Sequence, residues 1–225
     1  MKIVPVSKAE IREIVTTAKS STSAYDKDEM AIPSYLHPNP LINWIVWRRH
    51  HILLNFAKDL PNKSVLDFGC GLGIFLPSLA ENAQTVYAVD LFPEYAQELC
   101  RLRKLNVTIG TTLGIVEDNS LDYIFAAEVL EHIKDLDHMI TIMAAKLKPG
   151  GAILLSLPTE NFLYKIGRTL AGFRDKGDYH ERNADQALHI IARNTSLKLT
   201  KKSYIPLPFE PSLYVTAHFE KVFSN

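Results

Sequence analysis

At 225 residues the chain suits one domain, or one domain with appendages, on a prior of roughly 150 residues per domain. Its 25 Lys and Arg balance its 25 Asp and Glu, and this zero net charge argues against a general nucleic-acid binder, which needs a basic footprint. With 47% hydrophobic and 22% charged residues it can bury a sizeable core, and its two cysteines are too few for a disulfide framework or a Cys-based zinc site.

The opening stretch MKIVPVSKAEIREIV lacks an apolar core followed by a small-residue cleavage site, so it does not read as a secretory leader. Apolar Ile3, Val6, Ile11, Ile14 and Val15 point to a short helix within residues 1–20. Residues 20–40, rich in Ser, Pro and Asn, read as loop. From Leu41 to Leu60, Ile42, Ile45, Val46, Ile52, Leu53 and Phe56 recur at helical spacing and predict a second helix. No apolar run reaches the ~18 residues of a membrane span.

The pattern then changes to strand–helix alternation. Ser64–Phe68 is a β-rich run ending in glycines, and Gly73–Asn82 reads as helix. Thr85–Asp90 is a second strand, followed by Pro93 in a first helical turn and a helix to about Lys104. Val107–Ile109 and Leu121–Ala126 are third and fourth strands. Asp135–Lys146 is a helix, stopped by Lys148-Pro149-Gly150-Gly151, and Ala152–Leu157 is a fifth strand. These strands are apolar on both faces, as in a parallel sheet covered by helices. Residues 158–180 form a polar, aromatic-spotted insertion, followed by a helix over Asn183–Asn194. Lys198–Ile205 and Ser212–Lys221 close the chain as an antiparallel pair.

The most informative stretch is Val65-Leu66-Asp67-Phe68-Gly69-Cys70-Gly71-Leu72-Gly73: a hydrophobic strand, an acid, then G-x-G-x-G opening a helix. Glycines there permit a tight turn and let a ligand press on bare backbone, at the strand end where open parallel sheets bind ligands. A dinucleotide fingerprint needs G-x-G-x-x-G/A, and Ile74 or Leu76 stands at the sixth position. Asp67, two residues before the first glycine, suits a cationic ligand and would repel a pyrophosphate. Asp90, 17 residues after Gly73 at the end of the second strand, can accept hydrogen bonds from both hydroxyls of a ribose, or alternatively cap the next helix.

With these motifs in place the chain resembles the class I S-adenosylmethionine-dependent methyltransferases. The resemblance covers about residues 60–157 and is carried by V-L-D-F-G-C-G-L-G (65–73), V-Y-A-V-D (86–90), L-D-Y-I-F-A-A-E-V-L-E-H-I (121–133) and L-K-P-G-G-A-I-L-L-S (147–156). Together they look most like the subgroup that holds ubiquinone-pathway O-methyltransferases and many small-molecule and sugar methyltransferases. The resemblance implies an α/β fold: a Rossmann-like three-layer sandwich, with a seven-stranded, mostly parallel sheet whose last strand is antiparallel. Residues 1–60 become an N-terminal helical extension packing on the core. Residues 61–225 become the methyltransferase domain, with 158–182 as a substrate-side insertion.

The resemblance also assigns roles in holding S-adenosylmethionine. Asp67 lies near the methionine ammonium. Gly69, Cys70 and Gly71, flanked by Phe68 and Gly73, give backbone contacts to the methionine and ribose portions. Asp90 binds the ribose hydroxyls, Leu91 packs on the adenine, and Glu128 lines the wall near the transferred methyl group. Where relatives often place an adenine-binding acid after the third strand, this chain has Gly110-Thr111-Thr112, so Thr111 and Thr112 are the candidates for that contact. Cys70 reads as a small filler whose backbone matters, and no metal ligand set is expected.

Candidate bases for the acceptor are His132, in E-V-L-E-H-I, and His180, which ends G-D-Y-H in the insertion; each has a structural alternative as a loop histidine. Arg168, Arg174, Lys176 and Arg182 are interleaved with acids, which reads as a solvated mixed surface or as recognition of an anionic group on the substrate. The helix with Trp44, Trp47 and Arg48–Arg49 reads as packing over the cofactor or sheet, or as a surface that meets a lipid-linked substrate. The expectation is a cytoplasmic monomer or homodimer moving a methyl group to an oxygen of a sugar, quinone-like or lipid-linked small molecule, with no nucleic-acid partner. The competing readings are a non-catalytic methyltransferase-like scaffold or regulatory partner, and a nucleic-acid methyltransferase. Ala127-Glu128-Val129-Leu130 stands where many of the latter carry N/D-P-P-Y/F.

Overall fold

The structure, a computed structural model, describes residues 1–18, 32–170, 181–207 and 209–222. Seven strands form one sheet in the order β3-β2-β1-β4-β5-β7-β6, with helices around it. The chain divides into two compact units, Met1–Glu117 and Asp118–Asn225.

The first unit holds β1 (Ser64–Phe68), β2 (Thr85–Val89) and β3 (Thr108–Gly110), all parallel. Around them lie α1 (Lys8–Thr17), α2 (Ile32–Leu36), α3 (Pro40–Phe56), α4 (Leu76–Asn82) and α5 (Glu94–Arg103). Local chemistry sets the helix starts. Ser7 and Glu10 form a reciprocal capping box on α1. Asn39 accepts from the Leu41 N–H, and Pro40 opens α3. Glu10 does double duty: the Arg103 guanidinium binds it through two nitrogens at 2.7 and 2.9 Å, which with the Ser7 bonds lowers its pKa to about 2. The same guanidinium donates to the Pro5 carbonyl at 2.8 Å, so the end of α5 is fastened to the start of α1.

The second unit holds β4 (Leu121–Ala127), β5 (Leu147–Pro158), β6 (Leu197–Ile205) and β7 (Tyr214–Lys221). β5 runs parallel to β4, and β7 runs antiparallel to both of its neighbours, β5 and β6. Its helices are α6 (Leu136–Lys146), α7 (Phe162–Leu170) and α8 (Ala184–Arg193). Asp135 caps α6, and Asn183 caps α8 in a box with Gln186.

Four expected boundaries move. α4 starts at Leu76 rather than Gly73, because Gly69, Gly71 and Gly73 all have positive φ and keep the loop out of helix until Phe75. β5 begins at Leu147, so Lys148–Gly151 is an irregularity inside the strand: Leu147 pairs with Leu121 and Ala152 with Tyr123, across a register shift. Part of the 20–40 stretch, Ile32–Leu36, is helical. The insertion also carries a helix, α7, whose Phe162 and Ile166 are exposed one turn apart while Tyr164 meets Tyr214 edge-on at 5.7 Å.

Candidate active site

The three parallel strands of the first unit end at one level. Phe68 pairs with Val89, and Val89 with Gly110, so the next residues, Gly69, Asp90 and Thr111, leave the sheet side by side. This register brings the glycine loop, Asp90, Leu91, Thr111 and Thr112 to the carboxyl edge, where open parallel sheets hold ligands. Four of the loop's N–H groups, those of Gly69, Cys70, Gly71 and Gly73, are already engaged, the last on the Cys70 carbonyl. Those of Gly69 and Cys70 donate to the Val89 carbonyl at 2.8 and 3.1 Å, and that of Gly71 donates to Asp90 Oδ2 at 2.7 Å. A ligand here therefore meets glycine faces rather than a row of amide donors. At Gly71 that face is open: an added Cβ would find nothing within 4 Å.

Asp90 does not cap α5, whose N-cap is Pro93; its Oδ1 accepts from the Phe92 N–H at 2.9 Å. It thus ties the turn after β2 to the glycine loop. Burial raises its pKa, against the lowering effect of the Phe92 and Gly71 amides. Asp67 is buried, and burial with the neighbouring Asp90 charge pushes it up to about 7. A buried carboxyl held that high is a receptor for positive charge, since a bound cation restores the ionised form. Burial, then the Asp67 and Asp90 charges, keep the Cys70 thiol protonated, which removes it as a nucleophile. Phe68 is buried, whereas Leu91 is 80% exposed and free to be covered by a flat apolar ligand. Thr111 is exposed, and Thr112 Oγ accepts from the Gly114 N–H at 3.3 Å.

The helices before β1 build the wall behind this loop. Leu72 and Ile74 are buried in one cluster with Val6, Ile11, Ile14, Ile32, Tyr95 and Leu99. His50 on α3 stacks face to face on Phe75, just past the loop, at 4.5 Å and 8°, and Trp47 meets it edge-on at 5.7 Å. Burial and then the Arg49 charge lower His50 to about 3, so it is a neutral ring. Arg49 is buried as well, with its Nε on the Val46 carbonyl at 3.2 Å. Its charge opposes the raised pKa of the Tyr35 hydroxyl, which burial chiefly causes and the Asp67 charge increases. By position in the chain Arg48 and Arg49 form one basic pair. The signal that separates them was present: Arg49 and His50 fall on the helical face of Val46 and Leu53, while Arg48 and Trp44 fall on the exposed one.

In the second unit, Glu128 follows β4 with a left-handed backbone (φ 57). Its N–H donates to the Ser156 carbonyl at 2.9 Å, and its carboxylate accepts from Ser156 Oγ at 3.5 Å. Asp59, Lys104, Asn119 and Glu160 share this backbone sign, so at Glu128 it marks a tight exit from the strand. Leu130–His132 forms a 3-10 turn in which Leu130 and Glu131 are buried and His132 is half-buried. Arg182 is not part of a solvated surface: its guanidinium donates to the carbonyls of Leu130, Ile133 and Lys134. His180, with Tyr179, Arg174 and Lys176, lies outside the described residues, as does the Arg168 side chain. Among the described residues no group of three or more His, Cys, Asp or Glu could hold a metal ion, and no helix is long and apolar enough to cross a membrane.

The residues of the first unit fit a nucleoside that carries positive charge: a carboxylate at the end of β2 in Asp90, a buried carboxyl in Asp67, and an open face at Gly71. Comparison with known proteins agrees. The ubiquinone biosynthesis O-methyltransferase of Xanthomonas euvesicatoria pv. vesicatoria (strain 85-10) is 33% identical over 156 residues, 63% of this chain. The match covers 65% of that protein, so the chain spans just under two thirds of its length. A SAM-dependent methyltransferase from Aquifex aeolicus shares the fold with a TM-score of 0.66 at 19% identity, over 89% of this chain and 100% of that one. The N-methyltransferase NodS from Bradyrhizobium japonicum WM9, solved in complex with S-adenosyl-L-homocysteine, does so at 0.63 and 19%, over 94% and 98%. A family model described as a methyltransferase domain matches residues 47–199, which take in Arg49, the glycine loop, Asp90 and the β4 turn, and the chain belongs to that family, the class I S-adenosylmethionine-dependent methyltransferases.

Proposed function

We propose that the chain moves the methyl group of S-adenosylmethionine to a hydroxyl oxygen of a small, quinone-like phenol. The observation that carries the donor half of the reading is Asp67, a buried carboxyl pushed to about 7 at the end of the strand that leads into the glycine loop. The oxygen acceptor is supported by relatives named as ubiquinone biosynthesis O-methyltransferases.

The donor, when bound, supplies an activated methyl on a sulfonium with a neutral thioether as leaving group. This chain's part is to hold and to deprotonate. Asp67 takes the methionine ammonium, and Arg49 supplies the buried positive charge for the carboxylate. Asp90 accepts from the ribose hydroxyls, Leu91 covers the adenine, and Thr111 or Thr112 meets its edge. Gly69, Cys70, Gly71 and Gly73 keep the loop low enough for close approach. Glu128 lines the methyl side, and His132 receives the proton that the acceptor hydroxyl loses as its oxygen bonds carbon, a role worth roughly 10²–10⁴-fold. The test is transfer of labelled methyl from S-adenosylmethionine to a panel of catechols, amines and sugars, with the products located by mass spectrometry. Label on a catechol oxygen is expected. Failure of the folded protein to bind the donor sinks the reading.

The Asp67 assignment has a pH signature. In the ligand-free protein its folded pKa of about 7 lies above the unfolded value of 3.8, so the folded state holds an extra proton between them. Stability from this group is therefore full below pH ~4 and lost as pH rises through ~7. Donor binding needs the ionised form, so affinity should rise almost tenfold per pH unit between about 5.5 and 6.5, level off near 7, and release close to one proton at pH 6. Calorimetry in buffers of different ionisation enthalpy reads that proton. Asp67→Asn should bind weakly with a flat profile; an unchanged pH slope in the variant rejects the assignment.

A further inference from the structure

The turn after β4 is closed from elsewhere in the sequence. Within it, the N–H of His132 donates to the Val129 carbonyl at 3.1 Å and that of Ile133 to the Leu130 carbonyl at 3.4 Å. A single 3-10 turn leaves its last carbonyls underfilled. Two consecutive residues before α8 fill them. The Glu181 N–H donates to the Glu131 carbonyl at 3.0 Å. Arg182 Nη1 donates to the carbonyls of Leu130, at 3.2 Å, and Ile133, and Nη2 donates to that of Lys134 at 2.9 Å. Residues 181 and 182 thus donate to four carbonyls between 130 and 134, of which that of Leu130 also accepts from Ile133, and a cation sits at the negative end of the turn. A planar guanidinium can bridge three carbonyls at fixed angles, whereas an ammonium is a point charge on a flexible stem.

We propose that Arg182 is a positioning residue for methyl transfer: by closing the 130–134 turn it fixes His132 toward the acceptor, and Glu128, two residues before the turn, through the same backbone. The proposal rests on the reading of His132 as the acceptor-side base, and it makes no claim on donor binding. Arg182 is joined to the carbonyls by hydrogen bonds rather than by apolar packing, so its loss loosens the turn without removing core.

The test is Arg182→Ala, studied in the full chain with S-adenosyl-L-homocysteine as ligand and a catechol as acceptor. Four readouts are taken: homocysteine-nucleoside affinity, the imidazole resonances of His132 (assigned by their loss in His132→Gln), exchange of the Ile133 amide, and kcat against KM. Affinity should stay within about twofold. The His132 resonances should shift or broaden, Ile133 exchange should speed at least about tenfold, and kcat should fall about 10- to 100-fold at unchanged donor KM. Added guanidinium ion should reverse part of each change by refilling the site between the three carbonyls. If Arg182→Ala does not fold, Arg182→Lys is read the same way, with smaller shifts expected because one of three bridges can survive. A folded variant with unchanged His132 resonances and Ile133 exchange overturns the proposal, and so does a loss of nucleoside affinity equal to the loss of kcat. A wild-type protein that binds the nucleoside but leaves the catechol unlabelled sinks the acceptor assignment instead, and the resonance and exchange readouts still decide Arg182.

Discussion

Asp90→Ala should weaken S-adenosylmethionine binding by at least about 100-fold, while the melting temperature falls by only a few degrees. Asp90 has two jobs at once. Its Oδ2 and Oδ1 accept from the backbone N–H groups of Gly71 at 2.7 Å and Phe92 at 2.9 Å, and these bonds shape the loop that the donor lies against. The same carboxylate stands at the end of β2, where the proposed donor would place its ribose diol. A hydrogen bond to a charged group contributes about 1.5–3 kcal/mol, and an orphaned donor costs about 1–3 kcal/mol. Loss of the diol contacts alone accounts for about two orders of magnitude, and the freed Gly71 amide adds loop disorder that the donor must overcome. Asp90→Asn is the sharper variant. Its amide nitrogen cannot accept, so one of the two backbone donors or one of the ribose hydroxyls loses its partner, and an intermediate loss of about tenfold follows. Titration calorimetry with S-adenosyl-L-homocysteine, beside thermal melts, measures both. Wild-type affinity in Asp90→Ala would mean that the ribose lies elsewhere.

Why Asp90 and the glycine loop could be read from the sequence, and the partners of Arg182 or His50 could not, is a matter of range. The loop, the acid and the β-rich runs are contiguous chemistry. Positive φ at three glycines and a carboxylate at a strand end are dictated within a few residues, and parallel pairing then brings Gly69, Asp90 and Thr111 level without further instruction. His50 on Phe75 and the Arg182 carbonyl bridge join residues far apart in the chain, and nothing local announces them. Arg182 in particular lies among Asp178, Glu181 and Asp185, so its charge looks balanced in sequence, although its partners are backbone oxygens that no composition reveals. The helix at Phe162–Leu170 was masked in a different way. Its apolar positions Phe162, Leu163, Ile166 and Leu170 have helical spacing, but they span little more than two turns, too short a run to stand out within a polar segment. The start of α4 shows local chemistry overruling a pattern: Ile74 and Phe75 extend the apolar run of the helix, yet Gly73 at φ 73 cannot belong to it.

That conformation makes Gly73→Ala a strongly destabilising single methyl in the first unit, and Gly71→Ala its counterpart for function. At Gly73 an added Cβ would lie 3.0 Å from the Cα of Ala96, 3.1 Å from its Cβ and 3.1 Å from Leu76 Cδ1. Ala96 is fully buried on α5, and a helix backbone cannot give way as a side-chain tip can. The left-handed conformation costs a non-glycine residue about 1–2 kcal/mol, and overpacking adds about 1–3 kcal/mol. Together they approach half of a typical folding free energy, so a fall in melting temperature on the order of 10 °C follows, with donor affinity impaired as the loop is pushed off α5. At Gly71, φ is 51 and nothing lies within 4 Å. Alanine there bears only the conformational strain, about 1 kcal/mol, and the melt should shift by a few degrees. The methyl group, however, projects into the open space on the ligand side, so affinity should drop by one to two orders of magnitude, on the order of 1.4 kcal/mol for each tenfold. The two glycines therefore exchange ranks between assays: Gly73→Ala is worse by melting, Gly71→Ala worse by affinity relative to its stability. If Gly71→Ala binds S-adenosyl-L-homocysteine as the wild type does, the donor does not lie on that face of the loop. If Gly73→Ala melts with the wild type, the close approach of loop and α5 is not what holds this unit together.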